Sequence, residues 1–161
     1  MFSHFFSEAP FEILQHILEE LTVDDLIKTE GLAKHFSWVK SDDHLWYQLI
    51  KKKFDIEVGK SHCKIKYIIF HLFNRGIFYC QSRRDAGKNR AQEYFAKVKI
   101  LIDQIEFIDE TDLIWKNYIL GNMYCRGIAD QVDATRGIEL LEAAANNKHS
   151  DAALLLAAIY F

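Results

Sequence analysis

Pro10 is the only proline in the 161 residues, and glycine occurs seven times. So few chain breakers exclude a sandwich or barrel built from many short turns and favour long helices joined by short loops. Cysteine is equally sparse. Cys63, Cys80 and Cys125 are odd in number and never form a Cys-x-x-Cys pair, which excludes a disulfide framework or a cysteine-based zinc site and points to a reducing compartment. Neither sign of charge dominates: 20 basic residues face 23 acidic ones, for a net charge of −3. That balance carries no signature of nucleic acid or a membrane surface. The basic clusters, Lys51-Lys52-Lys53 and the loop with Arg83, Arg84, Lys88 and Arg90, read as solvated faces. No apolar run approaches the roughly 18–20 residues that span a bilayer. The start, Met1-Phe2-Ser3-His4-Phe5-Phe6, lacks the basic head and long apolar core of a secretory signal. A soluble protein of the cytosol or nucleus is expected.

Catalytic patterns are missing too. His16, His35, His44, His62, His71 and His149 fall on different predicted elements, and no His-Glu-x-x-His or Gly-x-Ser-x-Gly occurs. His62-Cys63 is the nearest thing to a dyad, but adjacent residues on a helix do not face each other. Gly87-Lys88 is not a phosphate loop, since the preceding glycine is Gly76 and Asn89 stands where a hydroxyl is needed. No metal or cofactor is implied, and no catalytic residue is assigned.

What the chain does have is apolar surface: half its residues are hydrophobic and 14% aromatic, enough to offset chain entropy and exclude disorder as the main state. In the first fifty residues, Ser7 and Pro10 open a helix with an apolar face at Ile13, Leu14, Ile17, Leu18 and Leu21. Thr22 and Asp25 start a short second helix with Leu26 and Ile27, and Gly31 bends the chain before a third piece with Leu32, Phe36 and Val39. Ser41-Asp42-Asp43 restarts a helix carrying Leu45, Trp46, Leu49 and Ile50 and ending near Phe54. Four short helices in so little chain make an orthogonal bundle, marginal alone on surface-to-volume grounds.

The order of these residues resembles the F-box family. That motif opens with Leu-Pro-x-Glu, continues with paired aliphatics and an Asp-Leu, and closes on a Val-x-Lys-x-Trp segment and a Leu-Trp pair. Here the places are held by Ala9-Pro10-Phe11-Glu12, by Ile13-Leu14, Ile17-Leu18 and Leu21, by Asp25-Leu26, by Leu32-Ala33-Lys34-His35-Phe36 and by Leu45-Trp46. The match runs in order without gaps. Ala9 for Leu, Thr29 for an aliphatic and Phe36 for Trp depart from it, and Ala9 would weaken docking. The resemblance implies binding to a Skp-family adaptor, and through it to a cullin–RING ubiquitin ligase. Its candidate partner-binding residues are Pro10, Glu12, Ile13, Leu14, Ile17, Leu18, Leu26, Leu32, Lys34, Phe36 and Trp46. Packing alone assigns Leu21 and Trp46 to the core, and Pro10 and Leu14 to a surface in need of cover. So small a bundle cannot hide all its aliphatics, and a helical partner burying roughly 1,600 Å² or more would do so.

Beyond a loop at 55–63, a helix over about 62–80 carries Ile65, Ile68, Ile69, Leu72 and Phe73 on one face and Tyr67 and Phe70 on another. A polar loop, 81–89, precedes an amphipathic helix over 90–108 with the stripe Ala91, Tyr94, Phe95, Val98, Leu101, Ile102, Ile105 and Ile108. Asp109-Glu110-Thr111-Asp112 caps the next helix.

The last fifty residues contain a repeat. Leu120-Gly121-Asn122-Met123-Tyr124 returns as Leu156-Ala157-Ala158-Ile159-Tyr160, 36 positions later. A period in the mid-thirties with small residues at helix contacts means stacked helix–turn–helix units. Gly127, Asp133, Gly137, Leu140-Leu141, Ala144-Ala145 and Ala152 complete a pattern similar to Sel-like repeats, relatives of the tetratricopeptide repeats. Lys148 stands where that family has Gly, and Gly137 where it has Ala. Gly121, Ala144, Ala145 and Ala152 would let helices approach, with Tyr124 filling the gap. Such arrays need about three repeats, so the sequence is expected to be cut from a longer array.

The expected protein is therefore all-α: an F-box bundle at 1–54, connecting helices at 55–108, and a Sel-like solenoid at 109–161. Its expected role is that of a non-catalytic adaptor presenting a target for ubiquitination. F-box modules joined to Sel-like repeats also occur in bacterial effectors, which would place it in a host cytosol. The alternatives are a helical scaffold without a ligase, and a small enzyme with an unrecognised site.

Overall fold

The computed structural model describes His16, Glu20 and residues 42–81, 85–107, 109–127 and 133–161. Among the described residues the protein is all-helical, without a strand: α1 (Asp43–Phe54), α2 (Cys63–Cys80), α3 (Asp85–Asp103), α4 (Glu110–Arg126), α5 (Ala134–Asn146) and α6 (Ser150–Tyr160). The chain divides into two compact units, Met1–His71 and Leu72–Phe161. His16 and Glu20 are helical and exposed. The remaining expectations for residues 1–41 fall outside the described residues.

In the first unit, α1 begins where its cap predicts. The Asp42 carboxylate accepts from the Leu45 N–H at 3.1 Å, Asp43 lies in the first turn and Lys51, Lys52 and Lys53 in the last, each sign at the favourable end of the helix dipole. Asp55 ends α1 in the left-handed conformation, its N–H on the Lys51 carbonyl. Leu45, Trp46, Leu49 and Ile50 are buried, the i, i+1, i+4, i+5 stripe that a core-facing helix requires. Trp46 meets Tyr67 at 5.3 Å between ring centroids, and Phe54 meets Tyr67, Phe70 and His71 at 5.3 to 5.6 Å. Two polar devices hold the connection between α1 and α2. Both oxygens of the Asp43 carboxylate accept backbone N–H groups at the start of α2, from His62 at 3.2 Å and Cys63 at 2.8 Å. Lys66 is fully buried, and its ammonium donates to the Gly59 carbonyl at 2.8 Å.

In the second unit, Phe95 fills the space that a side chain at Gly76 would need, and Phe73 packs on Phe95 and edge-on against Tyr118. α3 differs from the sequence expectation at both ends. It starts at Asp85 instead of Arg90, because Gly87 is buried and tertiary packing overrides its breaker signal. It stops at Asp103 instead of Ile108, closing through the tighter bonds Gln104 N–H to Leu101 and Ile105 N–H to Ile102. Asp109 then caps α4 through the Thr111 N–H at 2.8 Å, as the acidic break predicts. Inside α4 the buried Asp112 accepts the Trp115 indole N–H at 3.0 Å.

α4 and α5 run antiparallel and cross at two glycines. A Cβ on Gly121 would stand 2.9 Å from the Gly137 carbonyl and 3.0 Å from the Leu141 nitrogen, and one on Gly137 would stand 2.9 Å from the Cys125 nitrogen. Gly137 is thus half of the contact. Asp133 caps α5 through the Arg136 N–H, and Arg136 lies over the Tyr124 ring at 4.8 Å. α6 packs back on α5 through a core of Leu141, Ala144, Ala152 and Leu156.

Candidate interaction surface

Of the residues expected to meet a partner, Pro10, Glu12, Ile13, Leu14, Ile17, Leu18, Leu26, Leu32, Lys34 and Phe36 lie outside the described residues. Trp46 is described and is 1% exposed. Its ring packs against Tyr67 of α2 inside the core, not on a surface.

Among the described residues, no group of three or more His, Cys, Asp or Glu side chains is placed to hold a metal. Cys63 is buried, with its thiol directed at the Gly59 and Ser61 carbonyls, while His62 is exposed. Burial pushes the Cys80 and Cys125 thiols above their ordinary range, with Arg126 opposing, so both stay protonated and weakly nucleophilic at neutral pH. On the surface beside α1, Glu57 accepts from Tyr47 at 2.5 Å and Lys51 at 2.6 Å. These hydrogen bonds hold the Glu57 carboxyl below its usual range and raise both donors. Lys51 and Glu57 are exposed and Tyr47 is half-buried, and together they tack the loop after α1 onto that helix.

Surfaces are more informative than cavities here. On the repeat side, the displacement of 36 maps the α4 face that receives α5 (Tyr118, Gly121 and Cys125) onto Leu154, Ala157 and Phe161 of α6 and its end. All three are exposed, Leu154 by 69%. Leu120 and Leu156, related by the same displacement, are both 91% buried by complement to their 9% exposure. α6 therefore repeats the burial of α4 at this position and leaves the counterpart of the α4–α5 contact to solvent. Inside the hairpin, His149 joins α5 to α6. Its Nδ1 accepts the Ala152 N–H at 3.3 Å, and its ring stacks on Tyr118 at 4.3 Å. Burial lowers the His149 pKa below its ordinary 6.5, with Asp151 opposing. Burial likewise raises Tyr118, with the Asn122 hydrogen bond opposing.

A second surface was not foreseen in the sequence. Tyr79, near the end of α2, and Tyr94 of α3 stack almost parallel, 5.7 Å between centroids and 6° between planes. Arg90 lies over the Tyr79 ring at 5.7 Å and Lys97 over the Tyr94 ring at 5.9 Å, while Arg75 donates to the Tyr94 hydroxyl at 3.4 Å. Phe78 stands edge-on to Tyr79 and is 70% exposed. The available signal was helical spacing: Arg75 precedes Tyr79 by one turn, as Arg90 does Tyr94. Only the pairing of α2 with α3 brings the two sets together.

Comparison of the chain with family models, with curated proteins and with solved structures finds no match.

Proposed function

We propose that this chain is a non-catalytic adaptor. Its N-terminal F-box-like segment docks on a Skp-family protein, and its helical repeats present a target for ubiquitination by a cullin ligase. The observation that carries this reading is the α4–α5–α6 stack. Two helices meet at a glycine pair, and a third restarts the same residue pattern, which is how repeat scaffolds build binding surfaces rather than reaction centres. In this reading residues 1–54 form the F-box bundle and 109–161 a Sel-like array, with the ordered match from Ala9 to Trp46 supporting the first. Catalysis then belongs to other subunits, and the chain works by raising the target's effective concentration at the ligase. The cytosol or nucleus is the matching location, or a host cytosol for a bacterial effector.

Co-purification with a Skp-family adaptor tests the proposal. A one-to-one complex that survives gel filtration is expected, and no binding at micromolar concentrations overturns it. The double variant Pro10→Ala, Leu14→Ala should abolish the complex while far-UV circular dichroism stays unchanged. Loss of helicity would instead place Leu14 in the core, where its burial contributes roughly 2–5 kcal/mol. The burial of Trp46 also favours a second reading, a scaffold whose F-box-like bundle packs only on itself. In that case no adaptor binds the wild-type chain.

A further inference from the structure

The cationic-aromatic surface on α2 and α3 has a definite chemistry. Arg90 and Lys97 each lie over a tyrosine ring, and neither forms an ion pair among the described residues. Glu93 precedes Lys97 by one helical turn on α3, yet it makes no ion pair with it. Arg75 adds a third cation at the Tyr94 hydroxyl. Phe78 stands edge-on to Tyr79 on α2 and is exposed.

We propose that this surface docks an acidic peptide segment of a partner protein. Carboxylates of the segment pair with Arg90 and Lys97, and one of its apolar side chains covers Phe78. Charge complementarity selects the partner, and the arrangement lowers the cost of binding. Stacking on the tyrosines restrains the two long cationic side chains before a carboxylate arrives, so less rotamer freedom is lost on association. Aromatic contact with Phe78 supplies the desolvated centre that cations alone lack. Single-stranded nucleic acid fits less well. Base stacking needs open ring faces, whereas Tyr79 and Tyr94 are occupied by each other and by a cation apiece. The proposal stands whether or not the N-terminal segment docks an adaptor.

The test is fluorescence anisotropy on the full chain. The probes are a labelled short peptide of glutamates around one phenylalanine, the same peptide with lysines for glutamates, and an oligothymidine of similar length. The glutamate peptide should bind with a Kd on the order of 100 μM at low salt, weakening as salt rises. The double variant Arg90→Glu, Lys97→Glu should weaken binding by about tenfold or more, and Phe78→Ala by several-fold. The circular dichroism spectrum and adaptor binding should stay unchanged in both. Equal binding of the lysine peptide, no loss in the charge-reversed variant, tighter binding of oligothymidine, or no binding below millimolar concentration each overturns the proposal. Because adaptor binding is read separately, its failure and the failure of this surface are distinguishable.

Discussion

Lys148 occupies the left-handed region at φ 67°, where a side chain costs about 1–2 kcal/mol relative to glycine. The position is set by the end of α5. The Lys148 N–H bonds to the Ala145 carbonyl and the His149 N–H to the Ala144 carbonyl, the paired closure that favours glycine after a helix. Lys148→Gly should therefore stabilise the protein by about 1 kcal/mol, read as a raised urea midpoint with unchanged slope. Its neighbour His149 makes stability depend on pH. Only the neutral ring accepts the Ala152 N–H at Nδ1, and burial depresses the folded pKa below 6.5. The unfolded chain thus takes up the proton first. The contribution is full above pH 6.5 and is lost as pH falls from there through the folded value. His149→Asn keeps a capping side chain and should flatten this dependence in thermal melts recorded between pH 5 and 8 (about one unit or more on either side of an ordinary histidine).

At the scale of elements, the α4–α5 crossing departs most from ordinary propensity. Replacing a mid-helix glycine by alanine normally stabilises by about 1 kcal/mol. At Gly121 and Gly137 the added Cβ meets backbone atoms of the opposite helix at 2.9–3.0 Å, and backbone yields only if the helices separate. Overpacking of about 1–3 kcal/mol then exceeds the propensity gain. Gly121→Ala and Gly137→Ala should each lower the melting temperature. On α1, Trp46→Ala removes a fully buried ring packed on Tyr67. It should cost about 3–5 kcal/mol, measured by chemical denaturation, and adaptor binding would be lost with the fold.

At the scale of the whole molecule, the described residues form two helical units, and no helix among them is long and apolar enough to cross a membrane. The surfaces they leave open differ in kind. Beyond α5 the chain offers the apolar face of α6, and across α2 and α3 it offers cations on aromatic rings. A scaffold reading accommodates both, because a repeat surface recognises partners through side chains that its own packing does not use. In the proposed readings, adaptor docking would depend on residues 9–36 and acidic-peptide docking on Arg90, Lys97 and Phe78. The charge-reversed variant and the Pro10→Ala, Leu14→Ala variant should accordingly lose one function each and keep the other, measured side by side on the same preparations.

The sequence by itself determined much that near neighbours set: helix rather than strand, the caps at Asp42 and Asp109, the stripe of Leu45, Trp46, Leu49 and Ile50, and the displacement of 36. Each rests on spacing within about one or two helical turns, or on a period countable along the chain. Other features needed the chain to fold back on itself. The N–H groups that start α2 are capped by Asp43, some twenty positions earlier, so no local pattern announces the cap. Lys66 reads as a surface residue until the Gly59 carbonyl is placed beside its ammonium. Gly137 reads as wear in a repeat until Cys125 is seen against it, and Tyr79 and Tyr94 belong to different helices until those helices pack. Tertiary structure alone decides such pairings, because they depend on the distance between residues in space, which periodicity along one helix does not encode.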